Sequence, residues 1–242
     1  MAKQEIEIET RDGKAKAGLF RPAGAARAGV ILYMDAFGPR PALDEMAERL
    51  AGHGYAVLVP DLFYRNAPYG PFDAKTAFTV EETKTKLMAL VTGTTQEMTI
   101  RDSATFLDAL SAEGIGPIGV VGYCMGGARA LNAAAAHPDR IAAAASFHGG
   151  NLASDAADSP YRKAASIKAR VYVGTAGVDR SFPPEQSARL AEALRAAEVD
   201  HTIENYVGVG HGWCIKDHSV YNEAAAERHW KRLTTFFDET LG

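Results

Sequence analysis

The sequence predicts an α/β layer fold, a mostly parallel sheet with helices on both faces and an antiparallel hairpin at its N-terminal end. Two apolar runs without alternation, Gly29 to Met34 and Tyr55 to Val59, suit strands covered on both sides, as parallel strands are. Segments of helical periodicity separate these and later strand-like runs, the order expected of stacked strand–helix units. Ahead of them, Glu5 to Glu9 alternates polar and apolar residues. A turn at Arg11 to Lys14 can return this segment through Ala15 to Arg21 as a second strand.

The elements follow in order. Leu43, Met46, Ala47 and Leu50 mark an amphipathic helix that ends near Gly52 and Gly54. Pro60 stops the Tyr55 strand. The pattern then weakens, and residues 62–96 read as an irregular excursion over the sheet with one short helix near Glu81 to Leu90. Helical spacing resumes from Glu97 to Leu110. A strand at Ile118 to Gly122 runs into an alanine-rich helix from Ala128 to Ala136. Strands follow at Ala142 to Phe147, Arg170 to Gly174 and His201 to Val207. Pro183-Pro184 opens one further helix, and Asn222 to Leu241 closes the chain as another. With no repeat and no low-complexity linker, residues 1–242 read as one domain.

Composition narrows the function. A hydrophobic content of 47% with 23% charged residues is ordinary for a soluble enzyme. A net charge of -4 without a basic run gives no footprint for nucleic acid. No apolar run reaches the ~20 residues that span a bilayer. The Met1 to Glu7 segment has no apolar core of a signal peptide, so a cytoplasmic location is expected. There the two cysteines, Cys124 and Cys214, are expected as thiols.

Chemistry concentrates at Gly122-Tyr123-Cys124-Met125-Gly126, which has the form of a nucleophile elbow with cysteine at its centre. A buried structural cysteine beside a glycine turn is the bland alternative. A thiol attacks only as thiolate, so Cys124 needs a base and a group that orients it. In chain order, Asp179 and His211 supply acid and base after later strands. Of the seven histidines, His148 also ends a strand and competes for the role of base. His218 lies too deep in the next segment, and His53, His137, His201 and His229 suit surface or packing roles. The backbone amides of Ala36 and Met125 occupy the positions of an oxyanion hole. Phe37, Tyr64, Tyr123, His148 and Trp213 are candidate pocket residues. Cys124, His211 and Cys214 lack the paired close spacings of a zinc site, and the glycine-rich turn lacks a phosphate-loop ending, so no metal and no cofactor are expected.

On Tyr33-Met34-Asp35-Ala36-Phe37-Gly38, Pro60-Asp61-Leu62-Phe63, Gly122-Tyr123-Cys124-Met125-Gly126-Gly127, Asp179 and Gly210-His211-Gly212-Trp213, the chain resembles the dienelactone hydrolase family of α/β-hydrolases. The resemblance runs nearly end to end. It implies the α/β-hydrolase fold, a triad of Cys124, His211 and Asp179, and hydrolysis of a small ester or lactone through an acyl-cysteine. It also implies that Asp35, standing where the family tends to carry a glutamate, modulates the Cys124 thiol. The family grips the dienelactone carboxylate with arginines, one of them four residues after the catalytic histidine. That position is Ile215 here, and no arginine occurs between Asn66 and Ile100. Arg65, Lys75, Lys84 or Lys86 would have to substitute, so a less anionic substrate is expected. A thioesterase or carboxylesterase with the same triad, or a binding protein that has lost turnover, are the other readings. Oligomeric state is left unassigned.

Overall fold

A computed structural model describes residues 3–242. Met1 and Ala2, at the head of the segment read for a signal peptide, lie outside the described residues. The described residues form one eight-stranded sheet. Its strands are β1 (Lys3–Thr10), β2 (Gly13–Phe20), β3 (Ala28–Tyr33), β4 (Tyr55–Pro60), β5 (Ile118–Tyr123), β6 (Ala143–Phe147), β7 (Arg170–Val178) and β8 (His201–Gly210). They lie in the order β1-β2-β4-β3-β5-β6-β7-β8. β1 and β2 form the expected antiparallel hairpin, and β2 joins it to the parallel block by pairing antiparallel with β4. From β4 to β8 every pairing is parallel.

The helices are α1 (Pro41–Gly52), α2 (Glu81–Gly93), α3 (Gln96–Ala112), α4 (Met125–Ala136), α5 (Pro184–Ala196) and α6 (Glu223–Leu241). Local chemistry sets their starts. Proline occupies the first turn of α1 and α5, where its missing N–H costs nothing. Thr95 caps α3 by accepting from the Met98 amide, and Asn222 caps α6 by accepting from Ala225. Every residue of β3, β4, β5 and β6 is buried, as their unbroken apolar runs require. Under α6 an aromatic core forms from Tyr123, Phe147, Trp230 and His229, whose ring centroid lies 4.2 Å from that of Phe147. None of the described helices is long and apolar enough to cross a membrane.

The main departure from expectation lies at the carboxyl end of the last two strands. β7 and β8 were expected to stop at Gly174 and Val207, but their pairing continues to Val178 opposite Gly210 after a register shift between Ala176 and Val178. The extension is only partly covered: Ala176 and Val209 are buried, but Val178 is 73% exposed. Backbone pairing sustains it. Its consequence is positional, because the residues that follow the Val178–Gly210 pair are Asp179 and His211. In the excursion, a short 3-10 turn spans Tyr64–Asn66 and α2 extends one turn past the expected helix end.

Candidate active site

The parallel strands end together. Tyr33 of β3 pairs with Gly122 of β5, and Tyr123 pairs with Phe147 of β6. Residues that follow these strands therefore meet at one edge, the usual site of open α/β sheets. Cys124 sits between β5 and α4 with φ 54° and ψ -118°, a backbone conformation costly for a residue with a Cβ. The flanking glycines permit it. A Cβ on Gly122 would lie 1.9 Å from the Gly126 carbonyl oxygen, and one on Gly126 would lie 2.3 Å from that of Tyr33. The elbow is tight on both sides, so Cys124 is thrust out of the sheet edge while its amide is anchored to the Phe147 carbonyl at 3.1 Å.

Asp179 and His211 meet beside it. His211 Nδ1 lies 2.7 Å from Asp179 Oδ2, and Ser181 fixes the other carboxylate oxygen through its amide at 2.8 Å and its hydroxyl at 2.6 Å. Burial penalises the His211 imidazolium, but the Cys124 sulfur and the Asp179 carboxylate outweigh it and raise the group to about 10. Burial likewise opposes the Asp179 carboxylate, yet His211 and Ser181 hold it below its usual range. One ligand-capable atom from each of Cys124, His148 and His211 lies within 4.8 Å of the others. The Met125 amide, first of α4, and the Ala36 amide have no hydrogen-bond acceptor among the described residues. Both residues line the same cleft as Cys124, His211 and Asp179, a cavity of about 1300 Å³.

Asp35 is fully buried, and its carboxylate is bound elsewhere than to the thiol. Arg40 grips it at 2.6 and 2.8 Å, His218 Nε2 approaches at 2.9 Å, and the Phe37 amide donates at 3.1 Å. Burial opposes this charge, but His218 and Arg40 hold the carboxyl below its usual range. Arg40 continues the network to Asp217. His218, set aside on sequence as too remote, is thus brought back against the sheet by the loop after His211. In the same loop, four residues before His218, the free Cys214 is buried, and burial pushes its thiol well up.

The candidate pocket residues stand behind or away from the cleft. Tyr123 and Trp213 are fully buried, with the Tyr123 hydroxyl 2.9 Å from His229 Nε2. Tyr64 hydrogen-bonds Thr10 and Asp102, and Phe37 joins it in lining a separate hollow beside the N-terminal hairpin. His148 is 1% exposed, and burial drives its imidazole well below the ordinary histidine range. Phe78, Met88 and Val91 line the cleft instead, together with Val178, Arg129 and Arg180. Of the residues weighed as carboxylate grips, Arg65 is held by Asp102 and Asp12, Lys84 by Glu81 and Lys86 by Glu82.

The sequence and the fold have known counterparts. A Synechocystis sp. protein provisionally named carboxymethylenebutenolidase is 26% identical over 220 residues, covering 88% of this chain and 86% of its own. The carboxymethylenebutenolidase of Rhodococcus opacus is 28% identical over 217 residues, covering 88% and 81%. In structure, a provisionally assigned dienelactone hydrolase of Klebsiella pneumoniae superposes over 98% of both chains with a TM-score of 0.84 at 22% identity. The sequence profile of the dienelactone hydrolase family matches residues 15–241. With nearly its whole length matched, the chain belongs to the dienelactone hydrolase family and is a hydrolase of the α/β-hydrolase fold.

Proposed function

We propose that the protein hydrolyses small esters or lactones through an acyl-cysteine intermediate. The observation that carries this reading is the strained elbow cysteine beside a histidine whose far nitrogen is held by a carboxylate. The Cys124 thiolate attacks the carbonyl carbon while the Ala36 and Met125 amides receive the developing oxyanion. As the tetrahedral species collapses, the C–O bond breaks and His211 gives its proton to the departing alkoxide. His211 then takes a proton from water, the resulting hydroxide attacks the thioester, and the thiolate is released with the acid. Asp179 keeps the His211 ring in the one orientation that serves both steps.

For the substrate, the same reading favours a molecule less anionic than dienelactone, handled in the cytoplasm. Its support is the buried Ile215 at the family's arginine position, the internal pairing of Arg65, Lys84 and Lys86, and the apolar Phe78, Met88 and Val178 at the cleft. Asp35 then tunes the thiol through its field and not through contact. An Asp35→Asn variant with the wild-type pH profile of Cys124 alkylation would refute that role. The whole reading is tested by hydrolysis of p-nitrophenyl acetate and of dienelactone by wild type and Cys124→Ala. Wild type should turn over the neutral ester faster than dienelactone and the variant neither. Equal background rates in both proteins would sink the proposal.

A further inference from the structure

His148 is the one member of the site cluster for which the hydrolytic cycle has no task. Its side chain is almost wholly enclosed, and neither ring nitrogen has a hydrogen-bond partner among the described residues. Buried polar groups are normally satisfied, so a buried imidazole with two idle nitrogens needs an explanation. Its backbone adds to the anomaly, since φ is 39° and a β-carbon-bearing residue is disfavoured there. That conformation presents the ring edge-to-face with His211, with centroids 4.8 Å apart.

We propose that Cys124, His148 and His211 form a three-ligand site for a zinc ion, which reversibly silences the nucleophile. The donor set is one soft sulfur and two imidazoles, all of them donor types that zinc binds, and three protein ligands are the number that leaves zinc an open fourth position. Ligand atoms around tetrahedral zinc stand about 3.5 Å apart, given Zn–N and Zn–S bonds of about 2.0–2.3 Å. The three atoms here already lie within 4.8 Å of one another, so side-chain rotations of about an ångström close the site. His211 is ready for that role: its Nδ1 is engaged by Asp179, which leaves Nε2 for the metal in the carboxylate–histidine arrangement zinc sites use. The fourth position opens to the cleft and takes water. His211, raised to about 10 beside Cys124 and Asp179, carries a proton near neutrality. Coordination forms the Zn–S and two Zn–N bonds and releases that proton to solvent, with no change of oxidation state.

Metal binding is read by a spectrum and does not depend on turnover, whereas the silencing rests on Cys124 being the nucleophile proposed above. Titrating the full chain with Co²⁺ should give a thiolate-to-cobalt charge-transfer band and tetrahedral d–d bands that saturate at one ion per chain and vanish on adding Zn²⁺. Cys124→Ala should lose the charge-transfer band, which separates Cys124 from buried Cys214. His148→Asn, whose amide tolerates positive φ, should weaken binding at least about 10-fold. Micromolar zinc should abolish ester hydrolysis, with recovery on adding a chelator. A wild-type protein without the charge-transfer band, or a His148→Asn variant that binds cobalt as tightly as wild type, would overturn the site. If the bands appear while Cys124→Ala hydrolyses ester at the wild-type rate, the zinc site stands and the acyl-cysteine mechanism fails.

Discussion

Asp179→Asn isolates the orienting role with little change of shape. The native carboxylate accepts from His211 Nδ1 at 2.7 Å and from two Ser181 donors at 2.8 and 2.6 Å. An asparagine can keep an oxygen toward Ser181, but it then turns its amide N–H₂ at Nδ1. The ring must either lose that bond or adopt the tautomer with its Nε2 proton facing Cys124, and the imidazolium loses the neighbour that helps hold its charge. A hydrogen bond to a charged group is worth about 1.5–3 kcal/mol. At 1.36 kcal/mol per factor of ten, kcat/KM for an alkyl ester should fall roughly 10- to 150-fold. Initial rates on the alkyl ester give the effect, with thermal melting and circular dichroism as controls for the fold. A variant within twofold of wild type, with an unchanged melting point, would refute the orienting role.

His211→Ala should cost roughly 100- to 10,000-fold in kcat/KM, the range of a lost general acid–base, and far more than His148→Asn; the opposite ranking would move the base to His148. The pH dependence has a definite sign. His211 is held protonated up to about 10, so alkyl-ester hydrolysis, which needs a proton for its leaving group, should persist above neutrality and fall as pH rises through that value. A p-nitrophenyl ester, whose leaving group needs none, should fall less, and identical profiles would argue against His211 as the acid. Gly122→Ala places a Cβ 1.9 Å from a backbone oxygen and should leave little folded protein, whereas Gly93→Ala, with nothing within 4 Å, should be neutral or slightly stabilising in thermal melts. Arg40→Met strands the fully buried Asp35 with fewer partners. Breaking such a pair costs about 3–5 kcal/mol, or a melting-point drop on the order of 6–20 °C at this chain length; a shift under a degree would show that Asp35 is satisfied without it.

Much of the fold was legible because buried parallel strands write themselves as unbroken apolar runs, and β3, β4, β5 and β6 fall where those runs lie. The elbow was legible for a steric reason: glycines on both sides of Cys124 are required where backbone passes this close to backbone. What stayed hidden depends on pairing and not on side-chain pattern. The last residues of β7 and β8 include Gly177, Gly208 and Gly210 around a buried Ala176 and Val209 and an exposed Val178, so too few side chains alternate to mark them as strand. His218 was invisible for a related reason. It lies in an irregular loop whose path determines its neighbours, and nothing in its spacing points at Asp35 across the chain. The α2 side of the cleft wall carried no signal, because α2 buries only Leu87 and its sequence does not say which of its side chains face the cleft.

These points converge on recognition of the substrate. Ile215 is wholly enclosed, so a charged side chain at that position would be desolvated here. An anionic group entering this cleft would instead meet Arg129, on α4, and Arg180, next to Asp179. Arg129 donates from Nη2 to the Thr94 carbonyl while its Nε and Nη1 have no partner among the described residues, and burial pulls its guanidinium down to about 10. An anion would reach it at the enclosed Nε–Nη1 edge, beside the one nitrogen that Thr94 holds. Arg180 is exposed, where screening weakens an ion pair. The cationic groups of this cleft thus stand elsewhere than position 215, while Phe78, Met88 and Val91 offer apolar contact in the cleft that Cys124 lines. The ratio of rates on dienelactone and on a neutral ester of equal size reads that balance directly: a ratio well below one is expected, and a ratio above one would mean that Arg129 or Arg180 turns inward and grips the carboxylate.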